Sequence, residues 1–295
     1  MNSHSSTARI RSGTRRPRSA QQAILEFLSS SGCCKIAIGC DPEKRASIMK
    51  LKTLTPQTVA RAAREKLRAM ADPVKATGAE RYFKEPVKCY GVSSAEVRGL
   101  ARELGKSVKA VWTVNDAVVL CDMLLRDKEL EAKAVGFIIL GRFKDSFGPS
   151  LFPRAKRWFA GNLLDNWAGV DVFCSEVMSP FLLKYPAHVE RIKSWARHPN
   201  RWVKRASLVS FVTPARRGGF LDAVYEISAS ILGVDDDLIH KANGWLLREA
   251  GKTDMARLER FLLARGPDLP RTTLRYAIER FPEQERKRLL LRTKS

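Results

Sequence analysis

A tryptophan and an aspartate four residues apart are the first side chains in this sequence that could do chemistry together. Trp167 and Asp171 lie in the stretch NWAGVDVF (166–173), whose other residues are mostly small or apolar. Positions i and i+4 share one face of a helix, so we expect the carboxylate to lie beside the indole ring. A carboxylate held there could stabilise a cationic ligand or a cationic transition state, and the π face of the tryptophan would favour the same cation.

The alternative for Asp171 is a structural ion pair. Burying a carboxylate is unfavourable unless it is paired or hydrogen-bonded. Arg205, which belongs to the next helical repeat defined below, is the natural partner. These residues alone leave both interpretations open.

A second candidate group lies in KANGWLLREAG (241–251). Lys241, Trp245 and Arg248 are spaced i, i+4, i+7, which places them on one helical stripe. A tryptophan between two cations could serve as a platform for a ligand. The alternative packs Trp245 inward while the basic side chains extend to solvent, and it is the better interpretation of this segment alone.

Residues 184–205 combine many basic side chains with Trp195 and Trp202 and a single acid. Basic residues interleaved with aromatic ones suit a phosphate backbone and its bases. A solvated helical face with core tryptophans explains the stretch equally well. The basic residues are Lys184, Arg191, Lys193, Arg197, Arg201, Lys204 and Arg205.

The elements that must position these residues are helices. From about Pro56 onward apolar residues recur at helical spacing, loops are short, and no alternating strand pairs stand out, so we predict an all-α fold. The helix that begins with SSAEV is predicted to carry a serine cap and to end at Gly105. The later predicted segments are 114–126, 129–143, 149–160, 166–184, 186–197, 200–212, 218–232, 235–250, 253–265 and 270–280.

Three of these segments match one another. Each contains a basic residue followed by alanine, at 133–134, 205–206 and 241–242, with spacings of 72 and 36 residues. A missing copy should then centre near residue 169, where NWAGVDVFCSEV also reads as a helix. A period near 36 fits stacked helix pairs, slightly shorter than HEAT or armadillo repeats and slightly longer than tetratricopeptide repeats.

The repeat places the candidate residues in one row. Each matching segment is the second helix of its pair, and the second helices of a solenoid face the same side. We therefore predict a curved α-solenoid of HEAT-like repeats with a basic concave cleft. The residues in this row are Trp167, Asp171, Arg205, Lys241 and Trp245.

The net charge of +22 points to a polyanionic partner. Nucleic acid is the first candidate, an acidic membrane surface the second, and a merely solubilising charge the third. No apolar run has the length of a membrane span, so we expect a soluble protein that does not insert into membranes. Residues 1–48 look like a disordered basic extension or a transit peptide, and a single domain is predicted from Met49 to Ser295 with a net charge of +17.

Other motifs give no catalytic signal. The six cysteines and four histidines are scattered, so we expect no metal site. The stretch GLARELGKS (99–107) is not a phosphate loop, because Leu100 occupies the position that requires glycine.

Four stretches resemble one family. ERYFKE to YGV (80–92), WAGVD (167–171), RWVKRA (201–206) and IHKANGWLLREAGK (239–252) are similar to the bacterial DNA alkylation repair family, the AlkD-type DNA glycosylases. The resemblance covers roughly residues 56–290. It implies a fold of HEAT-like repeats and removal of cationic N3- and N7-alkylated purines from double-stranded DNA, without a metal or cofactor.

The resemblance also implies roles for individual residues. Trp167 and Trp245 would flank the nucleotide that carries the lesion, and Asp171 would be the catalytic carboxylate. Arg205 would contact phosphate, and Tyr82 would match an aromatic residue near the same cleft. Lys204, Lys241 and Arg248 are our further candidates for DNA binding. Ala168 departs from some relatives, which have an acid there.

Our leading hypothesis is a monofunctional alkylpurine DNA glycosylase of base-excision repair, acting as a monomer in the bacterial cytoplasm. The second is a HEAT-like module that binds structured DNA or RNA without catalysis. The third, a protein-interaction scaffold, would leave the charge of +17 unexplained.

Overall fold

Helices form the framework of residues 54–294, the range that this computed structural model describes. No strand occurs within that range, where an isolated parallel bridge joins Lys88 to Glu129. The predicted all-α fold is confirmed, whereas the predicted basic extension of residues 1–48 lies outside the described residues. The α-helices are α1 Pro56–Ala69, α2 Pro73–Glu80, α3 Ser94–Val108, α4 Val114–Leu124, α5 Leu130–Gly141, α6 Leu151–Ala160, α7 Trp167–Phe173, α8 Ser179–Lys184, α9 Val189–Lys193, α10 Arg201–Ala215, α11 Leu221–Ser230, α12 Asp237–Ala250, α13 Met255–Arg265, α14 Arg271–Ala277 and α15 Glu283–Arg292.

Helix α3 begins as predicted but ends later. Ser93 caps it: the Ser93 side chain accepts from the Glu96 N–H, and the Glu96 carboxylate accepts from the Ser93 N–H. The predicted end at Gly105 is wrong, because the helix continues to Val108, which is fully buried. Gly105 instead makes room inside the helix, since a Cβ there would lie 2.3 Å from Cδ of Arg142.

One row of helices runs through the repeats. In this row α5, α7, α10, α12 and α14 each pack against the next. The matching segments near residues 133, 205 and 241 lie on α5, α10 and α12, and α7 lies at the predicted fourth position. The 36-residue period therefore gave the correct order of this row.

Two of the matching basic residues join one repeat to the next. Lys133 and Arg205 are both buried, although their types favour the surface. Nζ of Lys133 donates to the Leu163 carbonyl at 3.1 Å, and Nη1 of Arg205 donates to the Leu238 carbonyl at 2.5 Å. At these two positions the repeated basic residue forms a hydrogen bond between repeats.

Three features of the helices were not predicted. The predicted segment 166–184 is helical from Trp167 to Lys184, but a π-helical turn at Cys174–Met178 separates α7 from α8. Helix α2 buries no residue, and Leu289 is the buried residue of α15, so neither has the apolar stripe on which sequence patterns depend.

Within residues 54–294 no helix is long and apolar enough to cross a membrane.

Candidate active site

Asp171 and Arg205 form a two-point ion pair. Nε of Arg205 donates to Oδ1 of Asp171 and Nη2 donates to Oδ2, both at 2.8 Å. Asn166 caps α7 by accepting from the Gly169 N–H, which sets Asp171 one turn inside the helix. The ion pair expected from the repeat is therefore present, and it joins α7 to α10.

The pair is more exposed on the aspartate side. The Asp171 side chain keeps 19% of its surface, whereas the Arg205 side chain keeps 7% and donates its third bond to Leu238. Burial raises the pKa of the Asp171 carboxyl, and the Arg205 guanidinium opposes that rise. Because two charge-assisted hydrogen bonds favour the ionised form, we treat Asp171 as a carboxylate at neutral pH.

Asp171 and Trp245 line the same surface depression, which we call the Asp171 depression. Its volume is about 300 Å³. The two residues are 74 positions apart in sequence, and the row of second helices brings them together. Its wall includes Arg98 of α3, which pairs with Glu176, and Arg216 at the end of α10, which pairs with Glu249.

Trp167 lines a neighbouring and more apolar depression of about 260 Å³, the Trp167 depression. One face of its indole ring stacks on Phe83, with ring centroids 4.9 Å apart and planes 15° apart. Arg98 and Val172 line both depressions. Trp167 therefore lies next to the Asp171 depression rather than across from Trp245 within it.

The segment of residues 81–93 carries Phe83 and is anchored by Glu131. This buried carboxylate accepts hydrogen bonds from the backbone N–H groups of Tyr90, Gly91 and Val92 at 2.9–3.2 Å. Gly91 has a φ of +79°, which suits glycine. Sequence reasoning missed both Phe83 and Glu131, although an acid within the apolar stretch of α5 is a signal for a buried acceptor.

Tyr82 takes no part in the stacking on Trp167. It is 84% exposed, while its neighbour Phe83 is the aromatic residue against Trp167. The predicted role of Tyr82 near the cleft stays a prediction.

The predicted stripe on α12 faces outward. Lys241, Trp245 and Arg248 are partly exposed. All the other residues from 242 to 250 are buried. Lys241 pairs with Asp237 at 2.8 Å, and Arg248 pairs with Glu279. Trp245 is thus an accessible residue flanked by two paired cations.

The basic stretch 184–205 has a mixed character. Trp195 and Trp202 are buried, so the alternative of core tryptophans holds for both. Arg201 binds two carboxylates, Glu85 at 2.5 Å and Asp236 at 2.6 Å. Lys204 is partly exposed and stays a candidate for DNA binding.

A comparison with known protein families identifies the relatives of this chain. A model of the family described as "DNA alkylation repair enzyme" matches residues 63–281, about three quarters of the chain. The chain belongs to the DNA alkylation repair enzyme family. The predicted site residues all lie within the matched range, and membership supports a role in DNA alkylation repair.

One solved structure shares the fold of this DNA alkylation repair family member. It is described as a predicted DNA alkylation repair enzyme from Enterococcus faecalis, with 17% identity and a TM-score of 0.63. The match covers 72% of this chain and 98% of that chain. Among curated proteins, none matches the sequence significantly.

Metal-binding residues are not clustered in the part of this family member that the structure describes. No three His, Cys, Asp or Glu side chains there come together as a metal site. Burial raises the pKa of the Cys89 thiol, in the Trp167 depression, to about 12, so this thiol stays protonated at neutral pH.

Proposed function

We propose that this protein is a monofunctional DNA glycosylase that removes cationic N3- or N7-alkylated purines from duplex DNA in base-excision repair. The observation that carries the proposal is the Asp171 carboxylate, which is oriented by Arg205 and lines one depression with Trp245. Membership of the DNA alkylation repair family supports a role in the repair of alkylated DNA.

The chemistry needs one carboxylate. A purine alkylated at N3 or N7 is already positively charged, so it leaves as a neutral base when the bond from C1′ to N9 breaks and the electron pair moves to the base. The deoxyribose then gains oxocarbenium character, which a nearby carboxylate stabilises electrostatically. Water adds to C1′ and loses a proton, which leaves an abasic site.

The aromatic and basic residues would hold the substrate. The accessible face of Trp245 would attract the cationic base and sugar. Basic side chains around the row would bind phosphates without reading the sequence. Asp171 and Trp245 line an open depression at the surface. The lesion nucleotide could therefore reach them without entering a base-specific pocket, which enzymes that flip the base use.

A second candidate, a non-catalytic module that binds structured DNA or RNA, draws on one observation. Both oxygens of Asp171 are occupied by Arg205, which is what a purely structural ion pair requires. This candidate predicts nucleic-acid binding without base release.

Incubation with N-methylated duplex DNA separates the two candidates. The glycosylase should release free 7-methylguanine or 3-methyladenine and leave alkali-labile abasic sites in equal number. A protein that binds the duplex but releases no base would support the non-catalytic module instead.

A further inference from the structure

The ion pair of Arg98 and Glu176 borders three surface depressions. Arg98 lines both the Trp167 depression and the Asp171 depression, and its partner Glu176 lines a third of about 550 Å³. Ser175 is shared by the last two.

The third depression adds cations beyond the candidate active site. Lys144, Lys184 and Arg217 line it together with Asp145 and Glu176. Neither Lys144 nor Arg217 takes part in an ion pair within residues 54–294, whereas the cations on the α12 stripe are both paired. Neighbouring depressions share lining residues, so the series runs from Trp167, past Asp171, to Lys144 and Arg217, which have no ion pair within residues 54–294.

Glu176 packs closely against α5 beside Arg98. It lies in the π-helical turn Cys174–Met178, directly after the helix that carries Asp171. A Cβ on Gly141 would lie 2.8 Å from the Glu176 carbonyl oxygen and 3.2 Å from its Oε2, so glycine permits the close approach of α5. The close packing of α5 thus sets the backbone position of Glu176, and π-helical turns are frequent at functional sites.

Arg98 is free to exchange its partner. Its Nη1 bonds to Oε1 of Glu176 at 2.8 Å, with 48% of the Arg98 side chain and 25% of the Glu176 side chain exposed. A half-exposed pair of this kind contributes little to stability. Arg205, by contrast, is buried and uses three guanidinium nitrogens for Asp171 and Leu238. Of these two arginines, Arg98 can therefore turn towards a ligand without breaking a buried network.

We propose that Arg98 binds a phosphate of the DNA strand beside the lesion nucleotide and that Glu176 holds Arg98 until DNA replaces it. The proposal rests on the proposed function in that the ligand is DNA. A guanidinium matches two phosphate oxygens in a fork, which suits this exchange. Arg98 is thus a positioning residue, distinct from the Asp171 carboxylate.

A double-mutant cycle tests the exchange. The wild type, Arg98→Ala, Glu176→Gln and the double variant are titrated against a labelled undamaged duplex at several salt concentrations. Arg98→Ala should weaken binding about 10-fold and lower the slope of log affinity against log salt by about one. Glu176→Gln should strengthen binding about 3-fold when Arg98 is present and leave it unchanged when Arg98 is absent.

The control is Arg61→Ala with Glu65→Gln, an exposed pair on α1 that lines none of the three depressions. Thermal melting checks that every variant is folded. An equal gain from Glu176→Gln with and without Arg98 would mean a general charge effect and overturn the proposal, as would an unchanged salt slope for Arg98→Ala. Release of methylpurine by the wild type is measured separately, so a protein that binds DNA without releasing base removes the glycosylase proposal alone.

Discussion

Asp171 and Arg205 each supply what the other needs, but the two needs differ: the carboxylate must stay ionised and oriented, and the buried guanidinium must be hydrogen-bonded. Arg205 keeps Asp171 ionised and oriented, while Asp171 and Leu238 together satisfy a guanidinium that is almost fully buried. Loss of either partner leaves a charge without its counterion in a place that water reaches poorly. The effects of substitutions here are therefore expected on stability as well as on activity.

Replacement of Arg205 by alanine should destabilise the fold by about 3–5 kcal/mol at neutral pH, because Asp171 becomes an unpaired buried carboxylate. Without the guanidinium, burial raises the Asp171 pKa further above its unfolded value. The folded variant then binds a proton more tightly than the unfolded chain, so its stability relative to the wild type recovers as the pH falls through that raised pKa. Urea unfolding near pH 7.5 and near pH 5 measures both effects.

Arg61→Ala, which breaks an exposed pair, provides the comparison and should change stability by less than about 1 kcal/mol. A loss for Arg205→Ala as small as this, or a loss of equal size at both pH values, would contradict the account of the buried pair.

At the scale of elements, the sequence pattern predicted the row of helices that carries the candidate site. The spacing of 36 residues between Arg205 and Lys241, and of 72 between Lys133 and Arg205, is enough to assign α5, α7, α10 and α12 to equivalent positions. Burial of a common core makes stacked repeats keep such a period. The pairing of Asp171 with Arg205 followed from that register.

The segment 81–93 could not be predicted in the same way. Its position depends on contacts with distant residues, namely Phe83 with Trp167, Glu85 with Arg201 and three backbone N–H groups with Glu131. Loops are set by such individual contacts and carry no periodic pattern. The π-helical turn that holds Glu176 was missed for a related reason, since its residues read as ordinary helix.

Two glycine substitutions test how this segment is held. Gly91→Ala should destabilise the protein by about 2 kcal/mol or more, because its φ is +79° and a Cβ would lie 2.2 Å from the Asp72 carbonyl oxygen. Gly78→Ala is the matched control: it lies within α2 with no neighbouring atom within 4 Å, and should stabilise the protein by up to about 1 kcal/mol. Urea unfolding measures both variants.

If Gly91→Ala were as stable as the wild type, the close approach of the segment to α2 would be wrong. A loss of stability in Gly78→Ala would instead show that the space around α2 is smaller than described.

At the scale of the whole molecule, charge and pairing give different information. The net charge of +22 predicts a polyanionic partner but does not say which cations are free to bind it. The structure separates Lys241, Arg201 and Arg248, which are paired, from Lys144 and Arg217, which have no ion pair within residues 54–294. Such pairing depends on the fold, and composition cannot predict it.

The catalytic role of Asp171 can be measured by the single-turnover rate of 7-methylguanine release from duplex DNA under saturating protein. Asp171→Asn keeps the size of the side chain and removes its charge, so we expect a rate lower by about 100-fold or more with DNA affinity nearly unchanged. Asp222→Asn, at an exposed aspartate outside the three depressions, should release base at the rate of the wild type. Equal rates for Asp171→Asn and the wild type would contradict this role.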